Sequence, residues 1–357
     1  MHIYLKDPEG KIKETDRYID NRRIIFKELV PHFVPTQLGI KLIKRPYFHS
    51  IRNLDEYTKK FSHLYKAKIL IVRDEGIGDI LLLTPALRAL KEKMNVDVFL
   101  ATNKNYFPII KYNPYLTGYC AIAGLENHMK NGYHQVIDLR FWSEHSPNRH
   151  KVHRSIVYTE KTGIPLDPAK SKPILYIDKE TIAKGKKLLN YNEKKNYIAI
   201  QLSATHYCRN WSIENYKILS ELLIKQNLVP VWIDKEKIDF ELKGLINLTG
   251  QTDIEEFLGV VANCSLTIGG DSSLYHISGA LDVPFIAIFG IISPNLRTTY
   301  YDCWHKDIVA DLDCIGCGNF HMDKCKITGS EIARCMDLVK PTVVFESVLD
   351  YFTNHYS

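Results

Sequence analysis

Two polar turns in this sequence have residue types that suit general-base and phosphate-binding chemistry. The first is Arg73–Asp79 (RDEGIGD), which lies between a short apolar run and a run with helical spacing. Its glycines Gly76 and Gly78 permit a tight turn and close backbone approach, and the helix that follows offers free N–H groups. Asp79 has two interpretations here: a carboxylate that caps the helix, or a general base at the end of a strand. Spacing alone favours the cap, because caps are far commoner than catalytic bases.

The second turn, Gly269–His276 (GGDSSLYH), also follows an apolar run and opens a helix. The side chains of Asp271, Ser272 and Ser273, with the free amides of a helix N-terminus, suit a phosphate or a sugar hydroxyl. His276 lies about one helical turn further on. The alternative is structural, with Asp271 as the helix cap and His276 as a core side chain. Taken alone, this turn slightly favours the structural interpretation.

A third polar loop follows the apolar run that ends at Leu202. Ser203 and Thr205 can donate hydrogen bonds, and Arg209 can neutralise a diphosphate through two parallel hydrogen bonds. Alternatively, Arg209 is a solvated loop charge and Trp211 an ordinary core residue. Three polar loops at three strand ends favour a common ligand site more strongly together than any one of them alone.

A dinucleotide site is a further interpretation of the first turn. The fingerprint for that site needs a third glycine where this chain has Leu81, at the position that controls helix–strand packing. A nicotinamide oxidoreductase is therefore the weaker hypothesis.

The elements around these turns predict an α/β chain with two doubly wound halves facing a cleft, where ligands bind beyond the carboxyl ends of the strands. We expect short helices in the leader, a strand near Ile156 and a C-terminal helix that returns to the first half. The predicted units are a basic leader (1–66), a first Rossmann-like domain (67–175), a second one (176–340, with a cysteine loop at 303–335) and the C-terminal helix (341–357).

Charge and hydropathy exclude several classes of protein. Residues 1–66 carry 14 Lys/Arg against 8 Asp/Glu, which accounts for the whole formal net charge of +6. A dedicated nucleic-acid binder carries its basic face on the main domain, so we expect no nucleic acid as partner. No apolar run approaches the ~20 residues of a membrane helix, and the charged N-terminus does not resemble a signal peptide. We therefore expect a cytoplasmic protein with no transmembrane segment, although the leader suits contact with an acidic membrane surface.

The cysteines predict a structural metal site near the C-terminus. Four of them have the spacing C-x2-C-x7-C-x9-C, and four thiolates form a closed site for zinc or iron. These are Cys314, Cys317, Cys325 and Cys335. Cys303 would be spare, and His305 and His321 are possible substitutes as ligands. The alternative is a loop of reduced cysteines without metal.

The segments from Asp74 to Leu87 and from Gly270 to Pro284, with Phe289–Gly290, resemble the two hallmark segments of the bacterial heptosyltransferases, glycosyltransferase family 9. The resemblance extends over roughly residues 68 to 350. It implies a GT-B fold, with the acceptor bound mainly by the first domain and the nucleotide sugar by the second. It also implies inversion at the anomeric carbon without a catalytic metal.

On this resemblance Asp79 matches the family's general base, which reverses the preference for a cap. The donor-binding positions that match are Gly78, Ser203, Thr205, Arg209, Asp271, Ser272, Ser273 and His276. Ser273 stands where the family usually has glycine, and Arg209 where lysine is frequent. Similar four-cysteine segments occur in heptosyltransferases that modify autotransporter adhesins, where they hold iron and support assembly.

The resemblance implies an inverting glycosyltransferase that moves a sugar, heptose in the family, from an ADP-linked or other nucleoside-diphosphate donor. The acceptor would be a hydroxyl of a lipopolysaccharide-like glycan or of a protein. A homo-oligomer and a peripheral membrane contact are both compatible with it. The alternative is a non-catalytic nucleotide-sugar-binding or assembly module of the same fold.

Overall fold

The computed structural model describes residues 66–125, 133–318 and 324–355 with their side chains, and before them only the backbone of five short strands. These strands are His2–Leu5 (β1), Glu14–Ile19 (β2), Arg22–Lys27 (β3), His32–Phe33 (β4) and Phe48–Ile51 (β5). β1 pairs with β4 and β5, and β2 pairs with β3, all antiparallel. The expected short helices are therefore wrong for this part of the leader, where β-branched and aromatic residues favour strands. The rest of the leader and His321 lie outside the described residues.

The first half is a parallel sheet of order β8-β7-β6-β9. Its strands are Lys68–Val72 (β6), Asp97–Thr102 (β7), Gly118–Ala121 (β8) and Gln135–Asp138 (β9). Its helices are Ile77–Met94 (α1), Phe107–Ile110 (α2), Trp142–His145 (α3) and Arg154–Thr162 (α4). α1 follows β6 directly, which places the Arg73–Asp79 turn at the carboxyl end of a central strand.

The strand expected near Ile156 is wrong, because this residue lies in α4. The side chain of His153 accepts a hydrogen bond from the backbone N–H of Ser155 and begins the helix, while Gly163 ends it with φ of 73°. A short apolar run cannot by itself distinguish a strand from a helix, and here the two end signals decide.

The second half is a parallel sheet of order β12-β11-β10-β13-β14-β15. Its strands are Asn196–Gln201 (β10), Leu228–Ile233 (β11), Ile246–Asn247 (β12), Leu266–Gly270 (β13), Phe285–Phe289 (β14) and His305–Val309 (β15). Its helices are Lys179–Leu189 (α5), Ile213–Lys225 (α6), Ile254–Ala262 (α7), Ser273–Ala280 (α8), Arg334–Asp337 (α9) and Pro341–His355 (α10). The prediction of two parallel α/β units is confirmed.

Short 3-10 turns occupy several connections between these elements: Lys104–Tyr106, Pro168–Lys170, Tyr207–Arg209 and Pro294–Leu296. The last two follow β10 and β14, so both lie at the carboxyl edge of the second sheet. This edge also carries the Gly269–His276 turn, since β13 lies between β10 and β14.

One hydrophobic cluster is continuous between the two halves. It contains Ile69 and Leu87 of the first half together with Ile233 and Ile277 of the second. α1 packs directly on α8, so the helices that follow the two polar turns meet each other. Because both helices begin at those turns, this contact brings the turns to one place.

The C-terminal helix α10 does not pack as expected. Its buried side chains Val344, Val348 and Tyr351 belong to the core of the second half, and the helix lies against α6. The expected return to the first half is therefore corrected: the apolar face of α10 is satisfied within the second half. None of the helices in the described ranges is long and apolar enough to cross a membrane.

Candidate active site

Asp79 lies in the first turn of α1, but it does not cap the helix. The N-cap residue is Gly76, whose φ of 78° is in the left-handed region, and no side chain there bonds the free N–H groups. Glycine suits this position because other residues adopt such a backbone only at a cost. The Asp79 carboxylate is directed instead toward side chains from elsewhere in the first half.

Three side chains bind the Asp79 carboxylate. Oδ2 accepts a hydrogen bond from Nη2 of Arg73 at 2.9 Å, and Oδ1 accepts one from Oη of Tyr158 at 2.8 Å. Nη1 of Arg154 lies 3.3 Å from Oδ1. The Asp79 side chain remains 24% exposed, whereas that of Arg73 is 4% exposed. The carboxylate therefore has two cationic partners, and the side chain that carries it is partly exposed.

Glu144 in α3 shares the same two arginines. Its Oε1 lies 3.4 Å from Nη2 of Arg73 and 3.4 Å from Nη1 of Arg154. Two carboxylates and two guanidinium groups thus form one charge-balanced network at the carboxyl end of the first sheet. Such a network fixes side-chain geometry, because every buried charge in it has an opposite partner.

The network determines the ionisation of Asp79. Burial alone would raise its pKa, but the charges of Arg154 and Arg73 and the hydrogen bond from Tyr158 outweigh burial and hold the pKa well below its usual value. The carboxylate is therefore ionised at any pH near neutrality. It can accept a proton or face a developing positive charge, although its basicity is lower than that of an unpaired aspartate.

The second turn begins α8, with Ser272 as the N-cap residue. Asp271 does not cap this helix, because its carboxylate accepts a hydrogen bond from Oη of Tyr275 at 2.9 Å. Nη1 of Arg209 lies 3.4 Å from Oδ2 of Asp271 and donates to its carbonyl at 3.2 Å. The 3-10 turn after β10 and the turn after β13 are therefore tied together by one ion pair.

Gln201, at the end of β10, occupies part of the expected phosphate-binding surface. Its Oε1 accepts hydrogen bonds from Oγ of Ser272 at 2.7 Å, from Oγ of Ser273 at 3.5 Å and from the backbone N–H of Leu274 at 3.0 Å. One of the amides that the sequence offered to a phosphate is thus already satisfied. Both hydroxyls lie in the turn as predicted, and each retains its acceptor lone pairs.

Ser203 and Thr205 are less closely tied to this turn. The backbone N–H and Oγ of Ser203 donate to the two carboxylate oxygens of Asp234, at 2.7 and 2.9 Å. Thr205 is exposed in the loop between β10 and the 3-10 turn. The structure therefore brings together Arg209, Asp271, Ser272, Ser273 and His276, and it places Ser203 and Thr205 beside that group.

The two polar turns meet at Gly78 and His276. A Cβ atom on Gly78 would lie 2.6 Å from Cδ2 of His276, so only glycine permits this approach. The ring is 5% exposed, and its Nδ1 lies 2.7 Å from Oη of Tyr301. Burial lowers the pKa of His276 to about 3, which keeps the ring neutral near pH 7. Asp79 and His276 thus lie on facing sides of one interface.

The described part of the cysteine loop folds against the end of β14. The backbone N–H of Gly316 donates to the carbonyl of Gly290 at 2.8 Å, and Sγ of Cys335 packs against Gly290 where a Cβ atom would be. Cys335 is buried, while Cys317 is exposed. Across the residues whose placement is described, no group of three or more His, Cys, Asp or Glu side chains is arranged to hold a metal ion. The thiols as placed do not fit the expected four-cysteine site.

Several residues of the site were not assigned by the sequence: Arg73, Glu144, Arg154, Tyr158 and Gln201. Arg73 belongs to the first motif but carried no predicted role. Arg154 and Tyr158 have the i, i+4 spacing that places two side chains on one helix face. Because the sequence predicts a strand near Ile156, this helical spacing carries no weight in the sequence analysis.

Known proteins that resemble this chain agree with the sequence motifs. The model of glycosyltransferase family 9 (heptosyltransferase) matches residues 114–315, more than half of the chain. The chain belongs to this family. The match includes the second polar turn and begins after the Arg73–Asp79 turn, so the role of Asp79 stays a prediction.

Lipooligosaccharide heptosyltransferase 2 of Haemophilus influenzae is 32% identical to this family 9 chain over 99 residues. The aligned stretch covers 24% of the chain and 29% of that relative, so less than a third of the relative's length is matched. The activity of the relative is therefore not transferred to the whole chain by this alignment.

Solved structures extend the likeness over most of the chain. The ADP-heptose LPS heptosyltransferase II of E. coli matches with a TM-score of 0.59 and 16% identity, covering 81% of this chain and 100% of that one. The dodecameric iron-containing heptosyltransferase TibC, from enterotoxigenic E. coli H10407, in complex with ADP-D-β-D-heptose, matches with a TM-score of 0.61 and 15% identity, covering 82% and 79%. At such identities the likeness establishes the fold, and the GT-B prediction is confirmed.

Proposed function

We propose that this family 9 chain is an inverting glycosyltransferase that transfers a sugar from a nucleoside-diphosphate donor to a hydroxyl group. The observation that carries the proposal is the contact between Gly78 and His276, which brings the carboxylate of Asp79 to the turn of Asp271 and Ser272. A base on one half and an anion-binding turn on the other are what sugar transfer needs. We place the reaction in the cytoplasm.

The chemistry would proceed in one displacement. The oxygen of the acceptor hydroxyl forms a bond to the anomeric carbon while the bond from that carbon to the phosphate oxygen breaks. The diphosphate leaves with the bonding electron pair, and the hydroxyl proton passes to the carboxylate of Asp79. Attack from the face opposite the leaving group inverts the configuration at the anomeric carbon.

The low pKa of Asp79 determines when this carboxylate can accept the proton. A carboxylate paired with Arg73 and Arg154 takes a proton only late, when the hydroxyl has already become acidic through bond formation. The same negative charge would stabilise the positive charge that develops on the sugar ring in the transition state. Both effects require Asp79 to face the anomeric carbon, on the side where it is accessible.

The donor that we propose is an ADP-linked heptose. Membership of the heptosyltransferase family supports it, as does the ADP-D-β-D-heptose bound by TibC. In this chain Arg209, Ser272 and Ser273 would contact the diphosphate, and Ser203 and Thr205 lie beside them. A glycan of lipopolysaccharide type or a protein hydroxyl would be the acceptor.

The decisive experiment uses the full chain, a screen of ADP-, GDP- and UDP-sugars, and the variant Asp79→Asn. We expect transfer by the wild type and a loss of about 100-fold or more in kcat for the variant, since general bases typically contribute that much. The affinity for the nucleoside diphosphate should change less than threefold. Glu75→Gln, an exposed carboxylate of the same turn, is the matched control and should keep full activity.

A second candidate is a non-catalytic module that binds the nucleotide sugar without transferring it. The ion pairs that occupy Asp79 favour it, because a carboxylate committed to two arginines is a weak base. Binding of a nucleotide sugar by the wild type with no transfer to any glycan or protein acceptor would select this candidate. If Asp79→Asn keeps more than a tenth of the wild-type activity, Asp79 is not the general base, but the proposed sugar transfer still stands.

We also propose a structural zinc or iron ion at the cysteine loop, with no part in the reaction. The iron-containing relative TibC supports it, as does the electrostatic interaction of the Cys335 thiol with Cys314 and Cys317. Binding would require the loop to move from its present arrangement, in which the thiols do not converge. Elemental analysis of the purified chain should give about one metal ion per chain, lost in Cys314→Ser. Metal-free protein with full activity and unchanged stability would contradict this proposal.

A further inference from the structure

Arg297 is a buried cation for which the site described above has no role. It follows the 3-10 turn after β14, and β14 pairs with β13, the strand that ends directly before Asp271. The Arg297 residue is 4% exposed. Its backbone is anchored from both sides. The N–H donates to the carbonyl of Pro294 at 2.7 Å, and the Arg297 carbonyl lies 3.0 Å from Nε2 of His153 in the first half.

The guanidinium group of Arg297 has few partners. Within the described ranges its only hydrogen bond runs from Nη1 to the carbonyl of Leu296 at 2.9 Å, and none of the ion pairs within 4.0 Å includes it. A guanidinium group carries five N–H donors, so most of them lack a protein acceptor. A buried charge in this state is expensive unless an opposite charge completes it.

The charges that act on Arg297 come from both halves. Burial lowers its pKa, and repulsion by Arg154 adds to this, while Asp271 and Asp79 attract the cation. Arg297 is therefore linked electrostatically to both carboxylates that the sequence singled out, at longer range than an ion pair. A donor whose diphosphate lies at the second turn and whose anomeric carbon faces Asp79 would bring its phosphates near this cation.

The charge balance of this region favours an anion. Among the described residues, the connected group contains Arg73, Arg154, Arg209 and Arg297 against Asp79, Asp271 and Glu144. His276 and His153 add no charge near pH 7, because burial lowers their pKa values to about 3 and about 4. One positive charge is left over, and among the described residues Arg297 is the member of the group that makes no ion pair.

We propose that Arg297 is a further catalytic residue that binds the diphosphate of the donor and stabilises the negative charge that builds on it as it leaves. This inference rests on the proposed function. The planar fork of a guanidinium group matches two phosphate oxygens at once. Arg209 is less suited to the task as placed, since it already pairs with Asp271. The contact of His153 with the Arg297 carbonyl means that the first half positions this residue when the halves meet.

The test measures binding of ADP and of adenosine by the full chain, using isothermal titration calorimetry, for the wild type, Arg297→Gln and Arg297→Lys. We expect Arg297→Gln to weaken ADP binding about 10- to 100-fold, the range for a lost hydrogen bond to a charged group, and to leave adenosine binding unchanged. Arg297→Lys keeps the charge without the fork and should be intermediate. Lys243→Gln removes an exposed cation of the second half and is the control.

The outcomes separate this inference from the function that it rests on. If the wild type binds none of ADP, GDP and UDP, both fall together. If it binds ADP, then an equal loss of ADP and adenosine affinity in Arg297→Gln, or no loss, overturns the role of Arg297 alone. If Arg297→Gln fails to fold, Arg297→Lys is measured instead. A contact with the diphosphate then requires that this variant loses affinity for ADP and keeps its affinity for adenosine. A fall in kcat in the same variant, at saturating donor, supports the role in the leaving step.

Discussion

The buried side chain of His153 makes the folding stability of the protein depend on pH. It is 4% exposed, and burial lowers its pKa to about 4, against an unfolded value near 6.5. Between about pH 4 and pH 6.5, His153 therefore binds a proton in the unfolded chain but stays neutral in the folded chain. The stabilisation is complete above pH 6.5 and is lost as the pH falls toward 4.

We expect the His153→Gln variant to lose about 2 kcal/mol less of its free energy of unfolding than the wild type when the pH falls from 7 to 5. Urea denaturation at the two pH values measures this. The variant removes the titrating group and keeps a side chain of similar reach at the start of α4. Parallel loss of stability in both proteins would show that His153 is protonated in the folded state.

Single residues were predictable where the local sequence carries the chemistry. The Asp79 turn and the Asp271 turn were recognisable because glycine, carboxylate and hydroxyl residues follow buried strands. The partners of Asp79 were not, since Arg154 and Tyr158 join it through tertiary packing about 75 residues along the chain. Gln201 was missed for the same reason: a strand-end glutamine has no local signal that it will reach the start of α8.

At the scale of elements, the contact between α1 and α8 depends on Gly78. The Gly78→Ala variant would place a Cβ atom 2.6 Å from the His276 ring, which Tyr301 holds by a hydrogen bond. The helices must then separate by a fraction of an ångström, and displacements near 1 Å can cost about 100-fold in rate. We expect a 10- to 100-fold lower kcat with a nearly unchanged melting temperature.

Steady-state kinetics and thermal unfolding of this variant test the contact. Glu92→Ala, an exposed position near the other end of α1, is the control and should behave as the wild type. Full activity in Gly78→Ala would mean that the two polar turns need not lie this close for catalysis.

A second helix contact, between α5 and α7, tests stability without touching the site. A Cβ atom on Gly185 would clash with the backbone carbonyl of Gly259, and backbone cannot move aside as a flexible side chain does. We expect Gly185→Ala to lower the free energy of unfolding by about 1 to 3 kcal/mol, the usual cost of overpacking. Lys187→Ala, exposed on the same helix, should change it by less than about 0.5 kcal/mol. Urea denaturation compares the two, and equal effects would refute the close packing.

Elements with strong local signals were predicted nearly to their ends. Helical spacing predicts a helix over 213–225 and a continuous apolar run predicts a strand over 228–233. The structure has helix Ile213–Lys225 and strand Leu228–Ile233, because these two signals leave little ambiguity. The strand β8 was missed, since Gly118–Ala121 is short and none of its residues is fully buried. In α4 the apolar run around Ile156 predicts a strand, whereas the side-chain cap at His153 and the terminal Gly163 favour the helix that forms.

At the scale of the whole molecule, the chain behaves as two sheets that share a core. The cluster that contains Ile69 and Ile277 crosses the junction, and His153 and Gly78 of the first half contact Arg297 and His276 of the second. Sequence patterns predicted each half, but not how tightly they join, because contacts between distant segments leave no periodic trace.

The distribution of charge is the other property of the whole chain, and it leads to the last prediction. All of the net positive charge lies in residues 1–66, outside the part that the family model matches. Basic residues near an anionic membrane contribute about 1 kcal/mol each. We expect the full chain to sediment with vesicles containing phosphatidylglycerol at low salt and to be released by high salt, because counterions screen the attraction.

A leader whose net charge is lowered from +6 to +1 separates this effect from general charge attraction. The variant carries glutamine at Lys11, Lys13, Arg17, Arg22 and Arg23. Its control carries the same change at five exposed positions of the second half, Lys187, Lys194, Lys195, Lys225 and Lys243, so that the two variants have the same net charge. The leader variant should lose vesicle binding by about 100-fold or more, and the control should keep it. Equal loss in both would mean that net charge, rather than the leader, governs the attraction, and the leader would then have no special part in meeting a membrane-bound acceptor.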